Sequence, residues 1–294
     1  MTREADLDRI RQAFPSLEIH SLRENAEGLV NRILIVNEER VFRFPRAEWA
    51  RESQARELRV LDFVASRLDL RIPSVDYRSP DLISYALIPG APLTRNRLRR
   101  MASTSRAAVI RDLATFLRQL HSTPLPSDIH ASEAQRTREQ HLATYQQVQS
   151  DLFPLLMADQ IEWVEDLYRP LVEDTGFLDH QPALINGDLG CYHLLCDPET
   201  DALSGIIDFG TAGKGDPAGD IGMMINQYGE SMVRQLSWTY EFVPDLIERA
   251  RFYAAQVELF WMLRGLQTGD KSWFAVHLSR AGDALPVGSG WPDE

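Results

Sequence analysis

Two short apolar runs, each delivering an aspartate beside a glycine, constrain this chain more than any other feature. In Ala183-Leu184-Ile185-Asn186-Gly187-Asp188 an acid follows a strand-like run, and His193 comes five residues later. Gly205-Ile206-Ile207-Asp208-Phe209-Gly210 repeats the arrangement. Brief apolar runs bounded by Gly and Asn read as short buried strands. Two such strands, each ending on an oxygen or nitrogen ligand, suit a phosphoryl-transfer site. One acid orients the attacking hydroxyl and takes its proton, while the later groups hold the metal that neutralises the phosphates. Either aspartate alone would serve equally well as a turn cap. The joint spacing carries the reading.

The rest of the chain supplies two kinds of surroundings for that segment. Leu29 to Val36 and Val41-Phe42-Arg43-Phe44 are β-rich runs separated by the polar turn Asn37-Glu38-Glu39-Arg40 and stopped by Pro45. Ala47 to Leu68 reads as a helix with Leu58, Leu61, Phe63 and Val64 on a buried face, and Leu82 to Ile88 as a further strand closed by Pro89-Gly90. Beyond that point the periodicity turns helical. Ser103-Thr104-Ser105 offers caps for a helix with the stripe Val109, Ile110, Leu113, Phe116, Leu117 and Leu120. Residues 131–149 are polar and Gln-rich, a helix with little to bury or an exposed arm. Ile161, Val164, Leu167, Tyr168 and Leu171 mark another helix. After residue 220 two or three helices rich in Trp, Tyr and Phe are expected.

Composition excludes several classes. With 44% apolar and 25% charged residues the chain is globular and not disordered. No apolar run approaches a bilayer span, and Met1-Thr2-Arg3-Glu4-Ala5-Asp6 has no apolar stretch behind it, so neither a membrane segment nor a secretory signal is expected. The two cysteines, Cys191 and Cys196, make no disulfide framework and read as free thiols in a reducing cytoplasm. A net charge of −12 disfavours nucleic acid and anionic lipid as partners.

The 183–220 segment resembles the catalytic and metal-binding loops of the aminoglycoside phosphotransferase family, small-molecule relatives of the eukaryotic-type protein kinases. Other landmarks occur in order along nearly the whole chain. Gly28-Leu29-Val30-Asn31 stands in place of the nucleotide-covering loop, Arg43 on the strand whose basic residue meets the phosphates, and Glu57 as the helix acid that pairs with it. Ile88-Pro89-Gly90-Ala91-Pro92-Leu93 resembles the hinge, and Leu117 to His121 the end of the helix before the insertion. The resemblance implies an α+β, bilobal protein-kinase-like fold with a small β-rich N-terminal lobe, 1–88, and a larger helical C-terminal lobe, 89–294.

By the same resemblance Asp188 is the catalytic acid, and Asp208 and His193 hold Mg²⁺. Arg43 and Glu57 position the phosphates of ATP or GTP, with Tyr85, Ala86, Leu87 and Ile88 lining the base pocket. Three residues depart from the family pattern. Asn186 replaces the usual His, His193 replaces Asn, and Arg43 stands where protein kinases use Lys. A bulky Tyr85 resembles the arrangement in guanine-nucleotide users, although it would also pack in a strand.

The resemblance further implies an antibiotic acceptor, an aminoglycoside first and a macrolide or a metabolic sugar or amino alcohol as alternatives. A monomer is expected. A polycationic acceptor needs inward-facing carboxylates. Asp216, Asp220 and Glu230 are the principal candidates, with Glu241, Glu258 and Asp270 behind them. Asp216 and Asp220 would equally brace the loop. A pseudokinase would have lost Asp188 or Asp208, and a protein kinase would carry a longer segment after Asp208.

Overall fold

The computed structural model describes residues 3–25, 30–270 and 272–275. Gly28 and Leu29 of the expected nucleotide-covering loop lie outside the described residues. The chain begins with α1 (Arg3–Ala13) and a sheet built from β1 (Leu22–Asn25), β2 (Asn31–Val36) and β3 (Arg40–Pro45). Next come α2 (Glu48–Val64), β4 (Val75–Ser79) and β5 (Leu82–Ala86). The strands order as β1-β2-β3-β5-β4, every neighbour antiparallel. Alternation along β2 and β3 explains the two faces of this sheet. Leu34, Val36, Phe42 and Phe44 pack under α1 with Ile10. On the opposite face Ile33, Ile35 and Val41 cluster with Tyr85 and Leu87. In register, Arg43 stands opposite Ile33 on one side and Ile83 on the other, so it shares that second face.

The helical part opens with β6 (Ala91–Pro92), α3 (Arg95–Arg100) and α4 (Ser103–His121). The α4 stripe read from the sequence is buried throughout. The stretch expected as a helix with little to bury or an exposed arm is part loop and part helix. Residues 131–137 form a loop that touches Lys214 through a bridge at Ala131. Thr137 and Gln140 then close a reciprocal cap that starts α5 (Arg138–Gln147), which continues into a π turn over Val148–Leu152 and a 3₁₀ turn over Phe153–Leu155. Polar His141 and Thr144 face inward on α5, which is why hydropathy alone left it exposed.

After α6 (Ala158–Glu173) come β7 (Ala183–Ile185), β8 (Leu194–Cys196), β9 (Leu203–Ile206) and β10 (Gly213–Gly215). β10 pairs with β7, and β8 lies between β6 and β9. The chain then runs through α7 (Pro217–Tyr228), α8 (Glu230–Leu236), α9 (Val243–Thr268) and α10 (Ser272–Ala275). The largest apolar core joins α2, α4, α7 and α8 beneath these short strands. Among the described residues no helix is long and apolar enough to cross a membrane. The aromatic residues after position 220 divide. Phe252 and Tyr240 are core, whereas Trp238 and Phe242 are exposed.

Candidate functional site

The backbone between β7 and β8 holds the first cluster. Gly187 adopts φ +82°, and a Cβ there would meet the Ser132 hydroxyl at 2.9 Å, so only glycine makes this turn without strain. Asp220, fully buried at the start of α7, accepts from the backbone N–H groups of Asn186 (2.9 Å) and Gly187 (2.7 Å). His121, at the end of α4, meets the same carboxylate at 3.0 Å and the Tyr240 hydroxyl at 2.9 Å. Asn186 completes the frame. Its side chain donates to the Asp208 carbonyl (3.0 Å) and accepts from the Asp188 N–H (3.0 Å), tying the two aspartate loops together.

On this frame Asp188, His193 and Asp208 converge. The His193 Nδ1 lies 2.8 Å from the Asp188 carbonyl, an acceptor only, so Nδ1 donates there and Nε2 is the nitrogen turned to Asp208. Nε2 is 3.6 Å from Asp208 Oδ2. Asp208 sits at φ +64°, a left-handed position that Asp tolerates, and its Oδ1 accepts from the Gly210 N–H at 3.0 Å. Oδ2 is left facing His193. Burial pushes the Asp188 carboxyl up, opposed by His193 and assisted by the charges of Asp208 and Asp220.

These donors fit a divalent cation delivered with phosphates. Nδ1 is anchored on a carbonyl and Nε2 faces the Asp208 carboxylate, an arrangement that a metal-binding histidine uses. Among the described residues no group of three or more His, Cys, Asp or Glu forms a closed cage. A hard cation held by one or two protein ligands completes its shell with phosphate oxygens and water.

Arg43 and Glu57 form a two-pronged pair at 2.7 and 2.8 Å, with both side chains buried. Burial opposes the guanidinium charge, but Glu57 outweighs it and holds Arg43 firmly protonated. The Arg43 Nε has no partner. Tyr85 is buried on the same sheet face beside Ile35 and Val41, while Ala86 is exposed and Leu87 donates its N–H to the Glu39 carbonyl.

The three acids expected to receive an acceptor are all engaged internally. Asp216 caps α7 by accepting from the Ala218 N–H (3.0 Å), and binds Arg249 (2.7 and 3.1 Å) and the Tyr253 hydroxyl (3.1 Å). Asp220 is spent on the loop after β7. Glu230 is held by Arg234 and Arg251, which lower its pKa to about 2. Of the further candidates, Glu258 accepts from the Asn226 amide at 2.6 Å.

A cavity of about 280 Å³ opens beside Gly187, between α5 and α9. Thr144, Tyr253, Gln256, Phe260 and Trp261 form much of its wall, with His141 among them. Sequence reasoning grouped Tyr253, Phe260 and Trp261 in an aromatic series taken mostly as core, with the remainder able to line an apolar pocket, and did not join His141, Thr144 or Gln256 to them. Arg136 lies over the Phe260 ring at 4.7 Å and donates to the Thr144 hydroxyl. Glu133 at the rim is paired with Arg56 of α2.

Comparison with known proteins gives a consistent picture. Residues 21–253 match the family model described as the phosphotransferase enzyme family. Viomycin phosphotransferase of Streptomyces vinaceus is 30% identical over 158 residues, and the match spans 52% of this chain and about half (53%) of that protein. The GDP complex of aminoglycoside 2'-phosphotransferase-IIIa superposes with a TM-score of 0.82 at 22% identity, covering 96% of this chain and 98% of that one. Macrolide 2'-phosphotransferase type I gives 0.70 at 23% identity, covering 96% and 97%. At these identities the two structures establish the fold.

Proposed function

Because the chain belongs to the phosphotransferase enzyme family, we propose that it moves the γ-phosphoryl group of ATP or GTP onto a hydroxyl of an antibiotic. The observation that carries this reading is the convergence of Asp188, His193 and Asp208 on one frame, on the chain that also holds the buried Arg43–Glu57 pair. Asp188 orients the acceptor hydroxyl and takes its proton as the hydroxyl oxygen bonds to the γ-phosphorus and the β–γ bridge breaks. A carboxyl whose burial favours its protonated form is suited to that role. Arg43, fixed by Glu57 through two of its five N–H donors, would meet phosphate oxygen with others. Asp208 and His193 would hold Mg²⁺, which when bound neutralises charge on the transferring phosphates.

Of the antibiotic acceptors, the cavity favours the amphiphilic one. Its acids are already neutralised by Arg249 and Arg56, and its wall is aromatic, which supports a macrolide-like acceptor over a polycationic aminoglycoside. A coupled nucleotide-hydrolysis screen tests both levels, with ATP and GTP run in parallel. Its acceptors should be kanamycin, erythromycin, viomycin, and common sugars and amino alcohols. Turnover dependent on an antibiotic and abolished in Asp188→Asn is the expected result. Turnover with a metabolite alone would remove the antibiotic and keep the kinase. Tyr85→Ala should improve the use of ATP relative to GTP, since Tyr85 would narrow the base pocket.

A further inference from the structure

His141 stands in the cavity wall with neither ring nitrogen in a hydrogen bond of good geometry. It sits on α5, one turn before Thr144, and its ring packs against Phe252 (centroids 5.4 Å apart) and Tyr253 (5.8 Å) of α9. Only 3% of the residue is exposed, yet neither ring nitrogen has a hydrogen-bond partner. Such groups are normally satisfied, and one left open at a cavity points to what the cavity receives. Burial lowers its pKa to about 4, with the neighbouring Arg136 charge in the same sense. Gln256 acts the other way, but without a hydrogen bond of good geometry. At neutral pH the ring is therefore uncharged and offers one N–H donor and one lone pair.

That pair of valences selects among ligand groups. A carboxylate or phosphate would meet only the N–H, and an ammonium only the lone pair. A hydroxyl both donates and accepts, so it satisfies whichever nitrogen it meets without charge. The surroundings agree. Arg136 stands close enough to repel a second cation, and the Gln256 amide nitrogen donates to the Tyr168 hydroxyl at 2.9 Å. Phe260 and Trp261 supply an apolar face on the same cavity.

We propose that His141 determines acceptor specificity by hydrogen-bonding a second, non-reacting hydroxyl of a molecule that has an apolar face and no more than one positive charge. This rests on reading the cavity as the acceptor site, and it assigns His141 to positioning, since the ring is not placed against the reacting phosphate.

Long-range ¹H–¹⁵N NMR of the full chain labelled at histidine reads the ring directly, with erythromycin and kanamycin as probes in the presence of ADP and Mg²⁺. Erythromycin should shift both His141 nitrogen resonances, and kanamycin at equal concentration should leave them in place. In steady state, His141→Phe should raise the KM for erythromycin about tenfold, the expected loss for one hydrogen bond and its unpaired partner, with kcat nearly unchanged. His141→Asn, which keeps a donor and an acceptor, should recover part of that loss, and neither variant should alter the KM for nucleotide. Phosphorylation of erythromycin with an unmoved His141 would sink the proposal and leave the kinase reading intact. A shifted ring without phosphorylation would keep the subsite and sink that reading. Absence of a shift with either probe, or a shift with kanamycin alone, overturns the proposal.

Discussion

The carboxylates of this protein fall into two groups that look alike in sequence and differ in what they have left to give. Asp188 and Asp208 are partly exposed, at 43% and 44% of their side chains, and face one imidazole. Asp216 and Asp220 are buried and saturated, one by Arg249 and Tyr253, the other by two backbone N–H groups and His121. The first pair keeps oxygen lone pairs open toward the cleft. The second spends them holding the loop and helix that aim the first. Acidity near a glycine turn therefore identifies neither role. The test is whether the carboxylate has a partner before substrate arrives.

Substitutions within the open pair should have the largest effects on turnover. Asp208→Ala should abolish detectable activity at any practical Mg²⁺ concentration, measured by coupled assay. Asp188→Asn should lower kcat by about a hundredfold or more and leave nucleotide Kd nearly unchanged, the pattern of lost proton acceptance. His193→Asn should retain appreciable activity, because an amide oxygen also suits a hard cation. A dead His193→Asn variant that still folds would give the imidazole a role beyond ligation.

The saturated pair should show its effect in stability. Asp220→Ala leaves the N–H groups of Asn186 and Gly187 and the His121 ring without their shared acceptor, in a site with no water access. Removing one partner from such a buried charged network costs about 3–5 kcal/mol. The urea midpoint should fall accordingly. Asp188→Asn should move it the other way. An acid whose folded pKa is raised makes the native state less stable above that pKa, so removing the charge relieves a cost at neutral pH. The comparison is cleanest without nucleotide or divalent cation. Equal losses in Asp188→Asn and Asp220→Ala would erase the distinction between the two groups.

What could be read in advance follows the same division. Strand alternation at Leu34, Val36, Phe42 and Phe44, and the α4 stripe, are local patterns with one structural solution each, and the sheet and the helix follow. The α2 reading ran on to Leu68 where the helix stops at Val64, since nothing in Ala65-Ser66-Arg67 breaks a helix by composition. The convergence of Asp188, His193 and Asp208 was legible because each stands close to a short apolar run, and the pairing of β8 with β9 sets His193 beside Asp208. The cavity between α5 and α9 was legible only as an aromatic series on one side, because the helices that make it lie far apart in the chain. His141 sits in a polar, Gln-rich stretch that gives no signal of burial, and its neighbours Phe252 and Tyr253 belong to an aromatic series that reads mostly as core. Asn186, noted only as a departure from pattern, proves to bridge the two loops.

Glu230 is the weakest test of the comparison and the one best suited to refine it, because it is saturated like Asp216 and yet lies near the surface. Its oxygens meet Arg251 at 2.7 and 2.9 Å, and Arg234 adds a further contact. The Arg251 hydrogen bond is the main cause that brings its pKa from the ordinary 4.5 to about 2. A depressed acid stabilises the fold above its unfolded pKa, so this contribution is present at neutral pH and fades as pH falls from about 4.5 toward 2. Solvent reaches the carboxylate and both arginines, so the contribution stays under about 1 kcal/mol. Glu230→Gln should therefore cost little at pH 7, cost nothing near pH 2, and lose most of its effect in half-molar salt, where exposed pairs are screened. Glu230 does not line the cavity beside Gly187. Its replacement should then leave the KM for every acceptor within about twofold, the margin expected of an exposed ion pair. A tenfold rise in KM confined to a cationic acceptor would place Glu230 among the open carboxylates and return the polycation to the front.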